Sequence, residues 1–270
     1  MARFGALFPP FIPFGSRNLK LTPVLQRGTD VAVLQYLFDV MVDVMPAEPL
    51  GPTISIDGVF GAATDAAVRR VQSYFRLSVD GIVGPQTFFA FGQGVGPNTT
   101  YGGPVFGSRN LSPGMTGGDV KIMQNRLNTF RYSLIVGSPA DGLFGPKNKA
   151  AVQAFQADAI ANGDTDMPTD GNVDGSTFDA FWIYTFAGGR GLFQGRNGLD
   201  VTFVQTILKN LGFYAGALDG FYGPKTETAV ANFQDSEHIS SDGVVGPVTF
   251  FHIGRHNLNP APVPFPNIPF

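Results

Sequence analysis

The tightest constraint on this chain is an eight-residue phrase that it writes six times. The copies are DGVFGAAT at 57–64, DGIVGPQT at 80–87, DGLFGPKN at 141–148, DGNVDGST at 170–177, DGFYGPKT at 219–226 and DGVVGPVT at 242–249. Asp-Gly makes a tight turn, because the aspartate can bond the amides that follow it and the glycine can take positive φ. Gly-Pro-x-Thr then starts a helix, since proline is at home at the first helical position, where its missing N–H goes unneeded. Six turn-plus-helix-start units describe architecture before catalysis. The apolar residue inside each copy (Phe60, Val83, Phe144, Val173, Tyr222, Val245) is placed to plug its loop into a core.

The copies fall into three units, in which Asp57, Asp141 and Asp219 mark the first turn. Each unit has an Asp-Val pair with a glutamine five residues after the aspartate: Asp30 and Gln35, Asp119 and Gln124, Asp200 and Gln205. Eleven residues after the first-turn aspartate comes an Ala-Val-x-x-[Val/Phe]-Gln block built on Val68, Val152 and Val230. Val31, Leu34, Leu37, Phe38 and Met41 form a one-sided apolar stripe at helical period, with Asp30 as an N-cap or first-turn acid. Ala67, Val68, Val71 and Phe75 give a second helix, with counterparts at Ala151, Val152 and Phe155 and at Ala229, Val230 and Phe233. A short third helix follows the second turn, with Phe88 and Phe91, Phe178 and Phe181, or Phe250 and Ile253 as its apolar side. The expected fold is all-α: three tandem three-helix bundles with glycine- and proline-rich loops and extended Phe/Pro-rich termini. The expected boundaries are a tail at 1–14, repeats at 15–95, 107–186 and 187–258, a linker at 96–106 and a tail at 259–270.

These residues resemble the peptidoglycan-binding-like domain family, the small three-helix module attached to many bacterial cell-wall hydrolases and spore proteins. The third unit, GLDVTFVQTILKNLGFYAGALDGFYGPKTETAVANFQDSEHISSDGVVGPVTF, is similar over its whole length, and the other two are similar with insertions. The resemblance covers about 15–254. It implies non-catalytic recognition of peptidoglycan or a related wall polymer through a shallow groove. In the third unit Tyr214, Tyr222 and Gln234 are candidate groove residues, since aromatic faces and amides suit sugar and peptide ligands. The alternative for the two tyrosines is that they wedge between helices.

Composition removes other classes. A net charge of −3 with scattered lysines and arginines offers no basic stripe for nucleic acid. Cysteine is absent, so there are no disulfides, thiol nucleophiles or cysteine-ligated zinc. No apolar run reaches the ~20 residues of a membrane span. The N-terminus MARFGALFPPFIPF reads poorly as a signal peptide, although a cell-envelope, spore-surface or extracellular location is expected. His252 and His256 have the spacing of a metal pair but lack a zincin's acidic base, so they read as surface or capping residues. Asp164, Asp166, Asp170 and Asp174 offer no register for an EF-hand and read as a solvated Asx-rich loop rather than a calcium site. No cofactor or metal is expected.

The termini carry FPPFIPF at 8–14 and VPFPNIPF at 263–270, outside the repeats. Only 14% of residues are charged against about 25% in an ordinary chain, and 26 phenylalanines exceed what three small bundles require. The first expectation is a non-enzymatic envelope or spore-surface protein that binds wall polymer through three modules. The alternative is a self-assembling structural protein, a homo-oligomer in a filament or lattice joined by tails through Phe8, Phe11, Phe14, Phe265 and Phe270. An unrecognised cell-wall hydrolase is a third reading.

Overall fold

The computed structural model describes residues 12–45, 50–93, 101–164, 167–185 and 187–258. They contain ten helices, and the only pairing of extended chain is six isolated antiparallel bridges. In the first repeat the helices are α1 (Thr29–Val44), α2 (Ala62–Tyr74) and α3 (Pro85–Ala90). The second repeat has α4 (Gly118–Asn128), a short α5 (Ser133–Val136), α6 (Pro146–Ala161) and α7 (Gly175–Tyr184). The third has α8 (Leu199–Asn210), α9 (Pro224–Ser236) and α10 (Pro247–His256).

The octapeptides act as expected. Pro85, Pro146, Pro224 and Pro247 each occupy the first position of a helix. All six plug residues are buried. Where DGNVDGST departs from the pattern, Asp174 becomes a true N-cap whose carboxylate accepts from the Thr177 amide at 3.1 Å. Each repeat also threads its N-terminal segment across both turns. Leu19, Leu111 and Leu192 exchange paired backbone hydrogen bonds with Val83, Val173 and Val245, and a second bridge ties the segment just before the first helix to the first turn.

The first helices do not start on a side-chain cap. Gly28, Gly117 and Gly198 cap them at φ near +145°, and Asp30, Asp119 and Asp200 stand second in the helix. A side chain at Gly198 would run into the Phe89 carbonyl oxygen of the first repeat. The glycine is therefore needed both for its backbone angle and for close approach.

The expected one-sided stripe on α1 is a correction. Residues 29–41 are buried on every side, because α1 packs on its own repeat and on α7 of the second. α7 is buried nearly all round for the same reason. The first two repeats thus share one core, whereas the third has its own. Phe14 joins the shared core at 1% exposure, edge-on to Phe88 at 5.1 Å and to Trp182 at 5.9 Å. Arg126, fully buried, is sandwiched against Trp182 and Phe106 and donates to the Thr185 carbonyl and the Gln93 amide oxygen. Burial pushes its guanidinium down to about 9, against the pull of Asp200.

Each repeat touches both others. α10 lies on α4, with the Asn257 side-chain amide donating to the Thr129 carbonyl at 3.0 Å and Phe130 against Phe203 at 5.5 Å. Between the first and third repeats, Tyr74 donates to the Asp219 carbonyl and Arg190 to the Phe89 carbonyl, each at 3.0 Å.

Candidate functional site

Six glutamines hold the six turns. In the third repeat the Gln205 carboxamide is buried, its Nε2 donating to Asp219 Oδ1 at 2.9 Å, the Phe221 carbonyl at 3.1 Å and Thr226 Oγ1 at 3.2 Å. Its Oε1 accepts from the Gly220 amide at 3.0 Å. Gln234 repeats this on the second turn, with Asp242 Oδ1, the Val244 carbonyl, Thr249 Oγ1 and the Gly243 amide all within 3.0 Å. Gln35 and Gln72 clamp the first repeat in the same way. In the second repeat Gln124 lacks a threonine partner, because Asn148 stands in that place and accepts from the Gly145 amide instead. Gln156 binds the Gly171 amide, the Asn172 carbonyl and Thr177. The clamp also works on the carboxylates. The Ile82 amide and then Gln72 hold Asp80 below the usual carboxylate range, and the Asn172 amide and side chain do the same for Asp170.

A second recurring pair fixes each first helix. Arg17, Arg109 and Arg190 form two-pronged ion pairs with Asp30, Asp119 and Asp200, with Nε to Oδ2 at 2.7 Å in all three. A guanidinium nitrogen of each also bonds a carbonyl just before the helix. Sequence reading found the aspartates and missed the arginines, which stand 10 to 13 residues upstream. The pair in the third repeat is fully enclosed, while Arg17 and Arg109 keep about a third of their side chains in solvent.

The expected groove residues are spent on this scaffold. Gln234 and Tyr222 are buried, and the Tyr222 hydroxyl donates to the Gly243 carbonyl at 2.7 Å, tying the two turns together. Both are corrected from ligand contacts to turn braces. Tyr214 is divided: its hydroxyl donates to the Ala217 carbonyl and accepts from Gln205, but its ring lines a surface groove. This groove, of about 410 Å³, lies between the loop after α8 and the start of α9 and is lined by Phe213, Tyr214, Gly216, Pro224, Lys225 and Thr228 among others. Gly216 is required there, since a side chain would strike the Tyr214 ring. A second depression of about 440 Å³ lies beside the second turn of the first repeat, around Leu77, Ser78, Asp80, Pro85 and Gln86.

Of the expected assembly residues, Phe14 is buried within its own chain, so its ring is not available to a neighbour. Phe8, Phe11, Phe265 and Phe270 lie outside the described residues. The solvated reading of the aspartate loop is corrected at Asp164, which is buried and accepts from the Tyr184 hydroxyl; Asp170 is exposed and makes an Asx turn by accepting from the Asn172 amide, and Asp174 caps α7. Asp166 is outside the described residues. His252 and His256 both reach Glu237, at 2.8 and 2.7 Å. Burial works to raise the Glu237 carboxyl, but the two imidazole contacts outweigh it and hold it below its ordinary value. Among the described residues, no helix is long and apolar enough to cross a membrane.

Comparison with known proteins gives the family. The chain matches the family described as putative peptidoglycan binding domain over residues 48–90, 116–181 and 197–251, one segment for each repeat and well over half of the chain. A probable N-acetylmuramoyl-L-alanine amidase of Bacillus licheniformis is 27% identical over 209 residues, covering 66% of this chain and 52% of the relative. A zinc D-Ala-D-Ala carboxypeptidase of Streptomyces albus G is 58% identical over 38 residues, 14% of this chain and 15% of the relative. A spore cortex-lytic enzyme of Bacillus cereus is 41% identical over 56 residues, 21% of this chain and 22% of the relative. This chain thus spans about half the length of the first relative and less of the other two. These names overturn the non-enzymatic expectation drawn from the resemblance; relatives named as wall-lytic enzymes mean that the chain is not classed as non-enzymatic. What three matched segments establish is membership: this chain belongs to the putative peptidoglycan binding domain family, with one copy of the domain in each of its three repeats.

Proposed function

We propose that this chain binds peptidoglycan in the bacterial cell wall or spore and that the binding serves hydrolysis of that polymer. The observation that carries the reading is the family match in all three repeats. The hydrolytic context comes from the names of the relatives, an amidase and a spore cortex-lytic enzyme among them. The architecture suits a surface-binding role. Six clamped turns and three mutual contacts make a rigid body on which a shallow groove is held open without help from a ligand, so little ordering cost falls on binding. A polymer that reached more than one repeat of such a body would gain avidity from the fixed spacing.

Co-sedimentation with purified sacculi tests the reading. The chain is expected to pellet with sacculi and to stay in solution with cellulose of equal mass. Protein left wholly in the supernatant at low salt overturns the proposal. The same pellets, scored for soluble muropeptide, separate binding alone from binding with cleavage.

A further inference from the structure

The three repeats share their clamps and differ most in the segment between the first-helix glutamine and the first turn. Asp219 follows Gln205 by 14 residues, Asp141 follows Gln124 by 17 and Asp57 follows Gln35 by 22. In the second repeat the longer segment folds into α5 and is fastened onto α6, where Asp158 accepts from Arg131 at 2.6 Å and from the Tyr132 hydroxyl at 2.5 Å. Lys147, second residue of α6, lies over Gly137 at the end of this inserted turn. In the third repeat the short segment leaves the corresponding space open, and that space is the 410 Å³ groove.

The groove has a definite chemistry. Phe213, the Tyr214 ring, Pro224 and Ala229 make apolar walls, and Lys225 and Thr228 are the polar side chains on its rim that are not already committed elsewhere. The Tyr214 hydroxyl is engaged as both donor and acceptor, so it offers nothing further to a ligand. Lys225 is exposed, forms no ion pair among the described residues and is the one charged residue lining the groove. A neutral glycan strand, dense in hydroxyls, would find too few free partners on such walls. A short peptide with methyl side chains and a free carboxylate matches them: methyl groups on the aromatic and proline surface, carboxylate on the ammonium.

We infer that the third-repeat groove takes the carboxylate end of a wall stem peptide, with Lys225 as the residue that selects the charged terminus. This rests on the proposed peptidoglycan reading and refines it from polymer to subsite. The third repeat is then the peptide-reading unit, and the second repeat, its equivalent space closed by α5, reads no peptide there.

Calorimetric titration of the full chain with N-acetyl-lysyl-D-alanyl-D-alanine, its C-terminal amide and chitotetraose tests this. The free acid is expected to bind about five- to tenfold more tightly than the amide at low salt, in the range of a charge-assisted contact at a partly exposed site. Lys225→Gln should bring the acid down to the affinity of the amide with an unchanged melting temperature, while Lys147→Gln should leave the acid's affinity intact. Equal affinity for acid and amide, an unaffected Lys225→Gln variant, or binding of chitotetraose without the peptide each overturns the inference. Sacculus pelleting run beside it keeps the two ideas apart: a chain that pellets normally yet fails the peptide titration refutes the subsite and leaves the wall reading standing.

Discussion

Replacing Gln205 by alanine should unfold the third repeat preferentially, and the size of the effect can be worked from its contacts. The carboxamide is fully buried, and Gly220, whose amide it accepts, is buried as well. Truncation leaves that N–H without an acceptor, which costs about 1–3 kcal/mol. Asp219 loses less, because it retains the Phe221 amide at 3.0 Å and is only part-buried. Thr226 and the Phe221 carbonyl can fall back on each other, as they are already within 3.4 Å. The vacated side-chain volume adds about 1–2 kcal/mol, since helices pinned by the Gln234 clamp and the Arg190–Asp200 pair cannot collapse onto it. The expected total is about 2–5 kcal/mol, against less than about 0.5 kcal/mol for Gln86→Ala at an exposed position of α3. Native-state hydrogen exchange is the assay, because the third repeat has its own core and can open without the other two. Amides of α8–α10 should lose protection while those of α1–α7 keep theirs. A loss below about 1 kcal/mol, or uniform loss across all three repeats, would refute the clamp argument.

Three further outcomes follow from named contacts. Arg190→Ala strands the enclosed Asp200 carboxylate and should cost about 3–5 kcal/mol in denaturant unfolding, whereas Arg109 is itself about a third exposed, so water can take its place beside the buried Asp119 and Arg109→Ala should cost about 1 kcal/mol; equal costs would contradict the difference in exposure of the two arginines. Asp39 is buried on α1, accepts from the Ile54 amide at 3.0 Å and has its carboxyl pushed up to about 6 by burial, with Asp43 adding to the rise. The folded state holds this proton after the unfolded chain has lost it, so stability is drained as pH rises from about 4 to about 6. Asp39→Asn keeps the acceptor and removes that loss, gaining about 2–3 kcal/mol over wild type above pH 6 and almost nothing at pH 4; a pH-independent difference would reject the assignment. Gly254→Ala would drive a methyl group into the Asn128 carbonyl oxygen, so α10 must back away from α4 at a cost of about 1–3 kcal/mol, read as faster exchange at both helices with repeat cores intact.

The contrast between what was and was not legible in the sequence is one of range. Turn chemistry, proline helix starts and plug residues such as Phe60 and Val245 depend on neighbours within eight residues, and all were found where the pattern put them. The glutamines are visible as a fixed spacing, yet their partners lie 8 to 29 residues away in sequence and meet only in the folded repeat, so Gln234 reads in sequence as a candidate groove residue. The Arg–Asp pairs were missed for the same reason. Fusion of the first two cores had a faint signal in the nearly unbroken apolar runs of α1 and α7, which a one-sided bundle helix does not need. That fusion also accounts for part of the phenylalanine excess: Phe14 and Phe106 are buried where the two repeats meet, rather than left over for assembly. The resemblance implies a groove with Tyr214 on it, and the rest of the lining is not legible, because Lys225 reads in sequence as the ordinary second residue of a helix.

The central claim is that a clamped, rigid scaffold presents wall polymer to the groove between the loop after α8 and the start of α9. Hydrogen exchange of the full chain, with and without a soluble muropeptide digest, tests it most directly. The account predicts protection concentrated at 211–217 and 224–229, with the clamped turns at 57–64 and 141–148 unchanged. Protection spread evenly over the three repeats, or confined to the first two, would contradict it.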